Sequence, residues 1–155
     1  MRVVYSVLIL CIVLTSCATS HKNTLNSMDI EDVRDRIAIL KREIISKSDF
    51  QDAEFLLFNV NGFTQSRGTT IPGSSSWDYQ VAIKVEPSEI KNWIVDFIKV
   101  DAKEYPIDWA INLIAHRSQN WQIKSKPQVY KRENSNTIAI VYQKEGILFK
   151  RIIGE

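Results

Sequence analysis

Few residues in this chain are equipped for chemistry, and their types set narrow limits. Two cysteines, Cys11 and Cys17, stand near the N-terminus; of the two histidines, His21 follows them closely and His116 lies far downstream. A zinc site takes three or four Cys, His or carboxylate ligands, and beyond residue 27 His116 has neither a cysteine nor a second histidine to join it. Ser74, Ser75 and Ser76 offer hydroxyls, and His116 with Asp78 or Asp108 offers a base and an orienting acid, the parts needed for nucleophilic catalysis. No serine, however, occupies a Gly-x-Ser-x-Gly turn. Gly62, Gly68 and Gly73 are too widely spaced for a phosphate-cradling loop. Carboxylate pairs for glycoside cleavage are defined by separation in space, and the sequence singles out none. The residue types therefore point to binding rather than catalysis, with no metal and no dissociable cofactor expected.

Cys17 is the exception, because its setting is informative. Arg2 supplies a positive charge, Val3 to Leu14 is almost wholly apolar, and the run closes on Leu14-Thr15-Ser16-Cys17. A charged start, an apolar core of about a dozen residues and small residues before a cut site are the parts of a secretory signal. The core is short of the roughly 20 residues that a membrane-spanning helix requires. The closing tetrad resembles the lipobox of bacterial lipoprotein precursors. That resemblance implies removal of residues 1–16 as a signal peptide, a diacylglyceryl group on the Cys17 thiol and an N-acyl chain, such as palmitate, on its new amino group. Two or more chains hold a protein durably on a membrane. By the sorting preference of that family, Ala18 after the anchor implies the outer membrane, with the domain facing the periplasm; the inner membrane and the cell surface are the alternatives. Cys11 leaves with the signal, so no disulfide is expected.

Lys and Arg number 20 against 18 Asp and Glu, and loss of Arg2 leaves about +1, a balance that points to neither nucleic acid nor a polybasic membrane patch. Residues 17–26 read as the lipidated cysteine and a polar tether in which His21 is solvated. Residues 27–155 read as a single domain, large enough to stand on its core without disulfides.

Within that domain, Ile30, Val33, Ile37, Leu40 and Ile44 recur at helical spacing, predicting a helix over 27–46 capped by Ser27, with an Asp32–Arg36 pair along it. The apolar run from Glu54 to Val60 reads as a strand covered on both sides, and the alternation from Trp77 to Val85 as a half-buried strand. Pro87 opens a second helix with Ile90, Trp93, Ile94, Phe97 and Ile98 on one face. Residues 106–116 fit a third helix or a strand, burying Ile107, Ile111 and Ile114. Val129 to Lys131, Thr137 to Gln143 and Ile147 to Ile153 complete a meander of strands. The expected architecture is α+β: an antiparallel sheet of about five strands with two or three helices packed on one face.

Phe63 to Ser76, with Gly68, Pro72, Gly73 and three serines, forms a long connection, and connections of that length tend to carry function. Arg67, Ser74, Ser75, Ser76 and Asp78 are accordingly the candidate partner-binding residues, with Trp121 beside them either as an exposed anchor or as a lid on the core. The function expected is that of a membrane-anchored lipoprotein whose periplasm-facing domain binds a partner in the envelope. A small envelope hydrolase and an inhibitor or immunity lipoprotein are the alternatives.

Overall fold

The computed structural model describes residues 22–63 and 75–154. The signal segment, Cys17, Arg67 and Ser74 lie outside the described residues. Chain order is β1 (Thr24–Asn26), α1 (Val33–Glu43), β2 (Asp52–Asn59), β3 (Trp77–Lys84), α2 (Ile90–Trp93), β4 (Phe97–Val100), α3 (Asp108–Ile114), β5 (Gln128–Arg132), β6 (Asn136–Tyr142) and β7 (Ile147–Gly154). The strands form one seven-stranded sheet in the order β1-β2-β3-β7-β6-β5-β4, antiparallel throughout. The class is α+β, with seven strands in place of about five.

Both extra strands are edges. Thr24–Asn26, assigned from sequence to the tether, pairs with Leu56 to Phe58, and the Asn23 carbonyl accepts the Asn59 N–H at 2.9 Å. At the other edge, Phe97 and Ile98 belong to β4 and not to the second helix. That helix is a single turn, because Asp96 takes a left-handed φ of 67° and turns the chain out of it. Residues 106–116 resolve as helix: α3 is followed by a tight turn at Ala115–Arg117.

The first helix begins later than its apolar spacing predicts. Asp32 caps α1 by accepting the Arg34 N–H at 2.7 Å and pairs with Arg34, not Arg36. Ser27 caps nothing. It opens a short 3-10 turn whose cap is Asn26, and its own side chain is buried.

The helices lie on both faces of the sheet, not on one. On the first face, Leu40 of α1 and Ile90 and Trp93 of α2 pack with Phe55, Leu57, Val81, Ile83 and Leu148. On the second, Ala110 and Ile114 of α3 and Trp121 pack with Ala82, Ile140, Tyr142 and Phe149. Period-two alternation produces this division, since Val81 and Ile83 point one way and Ala82 the other. Two buried faces explain why β2 reads as a nearly continuous apolar run.

An ion cluster joins the layers where β1 stops short of the inner end of β2. Ser27 covers that open edge, its hydroxyl accepting the Phe55 N–H at 3.0 Å in place of a missing strand neighbour and donating to Glu54 Oε2 at 2.5 Å. The Glu54 carboxylate, 0% exposed, also accepts from Arg117 Nη1 and lies 3.7 Å from Arg36 Nε and 3.3 Å from His116 Nε2. Arg117 grips Asp52 with both guanidinium arms, at 2.9 and 3.0 Å. Arg36 Nη1 donates to the Ile30 carbonyl at 2.7 Å, closing the approach to α1. Arg36 comes from the first layer, Asp52 and Glu54 from the sheet, and His116 and Arg117 from the second layer. Two guanidinium groups balance two carboxylates, which is what lets the cluster be buried.

Removing one partner leaves a buried charge without its counterpart. Arg36→Ala is expected to lower unfolding stability by about 3–5 kcal/mol, read as a drop in the urea midpoint at unchanged slope. A loss below about 1 kcal/mol, typical of an exposed pair, would show that the cluster does not hold the layers together.

Candidate functional site

α1, of 11 residues, packs chiefly against β2 and is about 10 Å across, whereas seven strands at about 4.8 Å spacing make a sheet close to 29 Å wide. With one-turn α2 beside it, α1 covers only part of the first face. The uncovered part is a groove of about 300 Å³ between the end of α1 and the strands β3, β7 and β5.

Three walls define this groove. Glu43, Ile44, Ile45 and Lys47 form a rim, with Ile45 81% exposed at its lip. Trp77, Tyr79 and Ile152 form an apolar and aromatic side. The indole of Trp77 lies against Gly154, where a Cβ would collide with it, so the glycine lets the ring settle on the sheet. Tyr79 accepts from Asn59 at 3.4 Å and packs beside Phe63, ring centres 6.1 Å apart. Burial pushes the Tyr79 hydroxyl pKa up, the Asn59 hydrogen bond works against that shift, and Glu43 adds to it. The third wall is cationic, formed by Arg132 from β5 and Lys150 from β7.

Strand register places both cations inward. Lys150 faces Val81 on one side and Ala139 on the other, and Ala139 is small enough to leave space above it. The Lys150 ammonium and the Arg132 guanidinium share the Phe97 ring, at 5.5 and 5.0 Å from its centre, a contact worth about 0.5–2 kcal/mol that compensates desolvation only in part. Neither cation has a carboxylate partner among the described residues. The Arg132 Nε is buried without a hydrogen-bond acceptor there. Burial, then the positive charges of Arg132 and Lys47, lower the Lys150 pKa from 10.5 to about 8. With Lys47 at the rim, three cations face the single carboxylate of Glu43 among the described residues, a local excess of two.

The residues nominated from sequence are not brought together. Ser75 and Ser76 are exposed where the chain enters β3. Asp78 lies on the second face, held by Arg151 through two bonds of 2.9 and 2.7 Å. Trp121 is 2% exposed within the second core; it is the lid of that layer, and as an exposed anchor it is corrected. Asp108 is exposed in the first turn of α3. His116 meets Glu54, not Asp78. Ser27, Glu54 and His116 do converge, yet Ser27 donates to the acid rather than to the imidazole and is sealed from solvent, whereas a nucleophile must contact its base and its substrate. Among the described residues no group of three His, Cys, Asp or Glu is placed to hold a metal, and no helix is long and apolar enough to cross a membrane.

A signal for the groove was present in the sequence. Lys150 sits two residues from Leu148 and from Ile152, so strand alternation puts its charge on an apolar face. Arg132 is harder to find, because its strand is short and mostly polar. Comparison with protein-family models, with curated proteins and with solved structures gives no match.

A buried cation without a partner works against folding. Folding expels the Lys150 proton between pH 8 and 10.5, because its folded pKa of about 8 lies below the unfolded value. The unfolded chain binds more protons across that window, so stability rises with pH through it. Lys150→Met is expected to raise the melting temperature at pH 7 and to flatten this rise. Thermal melts of both proteins from pH 7 to 10.5 would check it, and a Lys150→Met protein less stable at pH 7 would refute it.

Proposed function

We propose that the chain is a bacterial lipoprotein, lipid-anchored through Cys17 in the outer membrane and facing the periplasm, whose domain binds a ligand in the groove on the first face of the sheet rather than catalysing a reaction. The anchoring half rests on Leu14-Thr15-Ser16-Cys17 after its charged and apolar lead. The binding half rests on one observation: Arg132 and Lys150 are drawn into a concavity without counter-charges among the described residues. Stability is commonly sacrificed in this way where a site must receive something. A hydrolase reading has less support, since both carboxylates of the ion cluster are engaged by arginine.

The tether is shorter than residues 17–26. Lys22 already accepts the Phe63 N–H at 3.3 Å and pairs with Asp29 at 3.0 Å. Lys22 is five positions from Cys17, a reach of at most about 18 Å. The domain therefore sits close to the bilayer, with the Asn59–Phe63 end of β2 and its neighbour Trp77 toward the lipid.

Mass spectrometry of protein purified from its own membrane tests both halves. Intact protein is expected to begin at an acylated Cys17, and an unacylated Cys17 or a retained Met1 would overturn the anchor. Native mass spectra are expected to show a co-purified small molecule that is lost when Ile152→Trp fills the groove. Identical bound species in wild type and variant would overturn the groove as the binding site.

A further inference from the structure

We propose that the groove takes a dianionic group, a phosphate monoester or its dicarboxylate equivalent, carried on a flat apolar body, with Arg132 and Lys150 holding the anion and Trp77 and Tyr79 flanking the body. The inference deepens the reading of this groove as a binding site and rests on it.

Charge sets the first term of the match. Among the described residues Lys47, Arg132 and Lys150 oppose Glu43 alone, so the site is complemented by about two negative charges. The guanidinium supplies the second term, since its planar fork of donors fits carboxylate and phosphate oxygens. The buried Arg132 Nε is a donor already desolvated and lacking an acceptor among the described residues, and an anion oxygen beside it replaces a loss with a charge-assisted bond. Shape supplies the third. About 300 Å³ is near the lower end of the range of roughly 300–1,000 Å³ for small-molecule sites, room for one or two rings or a short acyl stretch. The aromatic side accepts a planar face. Cations gathered at one end of a pocket make a point of charge, unlike the long basic stripe with which proteins track nucleic acid.

Two sources carry this chemistry: a soluble phosphate ester, or a lipid phosphate in the membrane within reach of the proposed tether. Trp77 and Trp93 line the groove and supply an intrinsic signal. The full-length protein in a neutral detergent would be titrated with 1-naphthyl phosphate, inorganic phosphate and 1-naphthol, following tryptophan fluorescence and calorimetry. Saturable binding of 1-naphthyl phosphate is expected, at least tenfold tighter than either fragment. Arg132→Met and Lys150→Met are expected to weaken it at least tenfold. Between pH 7 and 9.5 affinity is expected to fall as Lys150 loses its proton. The groups facing Lys150 are Glu43 at the end of α1, Lys47 just beyond it, Tyr79 on β3 and Arg132 on β5.

Phosphatidylcholine vesicles doped with phosphatidic acid separate the sources: competition with the naphthyl probe assigns a lipid phosphate, and its absence a soluble ester. No saturable binding of 1-naphthyl phosphate, equal affinity for 1-naphthol, or wild-type affinity in both variants would overturn the proposal. Since Lys150→Met is expected to fold more stably than the wild type, lost binding there is not lost folding. If the probe fails while native spectra still show a species displaced by Ile152→Trp, the groove remains a binding site and only the anion assignment falls.

Discussion

The Glu54 carboxylate is the contact on which the arrangement of layers depends. An ionised carboxylate with no solvent exposure costs several kcal/mol to desolvate unless its charge and lone pairs are met. Here Arg117 and Ser27 meet it with hydrogen bonds, Arg36 adds a charge-compensating contact, and His116 Nε2 lies 3.3 Å away. These groups come from elements on opposite sides of the sheet, so satisfying one buried acid fixes α1, the β2 edge and the turn after α3 together. An apolar contact tolerates sliding, but a guanidinium on a carboxylate tolerates little. Such a cluster contributes less to stability than to register: it specifies where each helix stops along the strand.

The groove applies the opposite rule to the same kinds of side chain. At Glu54 the charges close into a neutral set, two arginines against two acids. At Lys150 and Arg132 they remain positive, with an aromatic ring as their shared cushion. One protein thus holds a balanced buried cluster and an unbalanced one, so the imbalance at the second does not reflect a general tolerance of buried charge. The packing around it agrees. Gly154 lets Trp77 lie flat and Ala139 leaves space above Lys150, whereas bulkier residues at either position would close the concavity with core.

Much of the sheet was legible because its strands alternate or run apolar over six to eight residues, as from Trp77 to Lys84 and from Ile147 to Gly154. β1 and β4 were not, for a physical reason: strands of three and four residues carry too few positions for a period to show, and pairing with an existing neighbour decides them. The apolar series Ile90, Trp93, Ile94, Phe97, Ile98 fits helical spacing perfectly well, yet the left-handed Asp96 splits it between a helix turn and a strand. Length and serine content drew attention to the loop before Trp77. The more telling residues were charges inside apolar patterns: Arg36 between Val33 and Leu40, Glu54 within Ala53-Glu54-Phe55, and Lys150 between Leu148 and Ile152. Each breaks a hydrophobic face, and each proves to be buried or to line the groove. What sequence cannot separate is the two outcomes, because whether a buried charge is balanced depends on residues more than sixty positions away, as Arg117 is from Asp52 and Glu54.

The position of the groove follows from the width of the sheet and the narrowness of its cover. α1 packs chiefly against β2 and leaves the β7–β5 part of that face without a helix over it. The half-buried strand positions there are neither uniformly polar, as on a solvated face, nor uniformly apolar, as on a face awaiting a protein partner. Tyr79 and Ile152 sit opposite each other in one row with Arg132 beyond them on β5, and Lys150 lies in the next row. A surface that sets apolar and cationic groups side by side within a single concavity is the physical basis of the ligand class proposed for it.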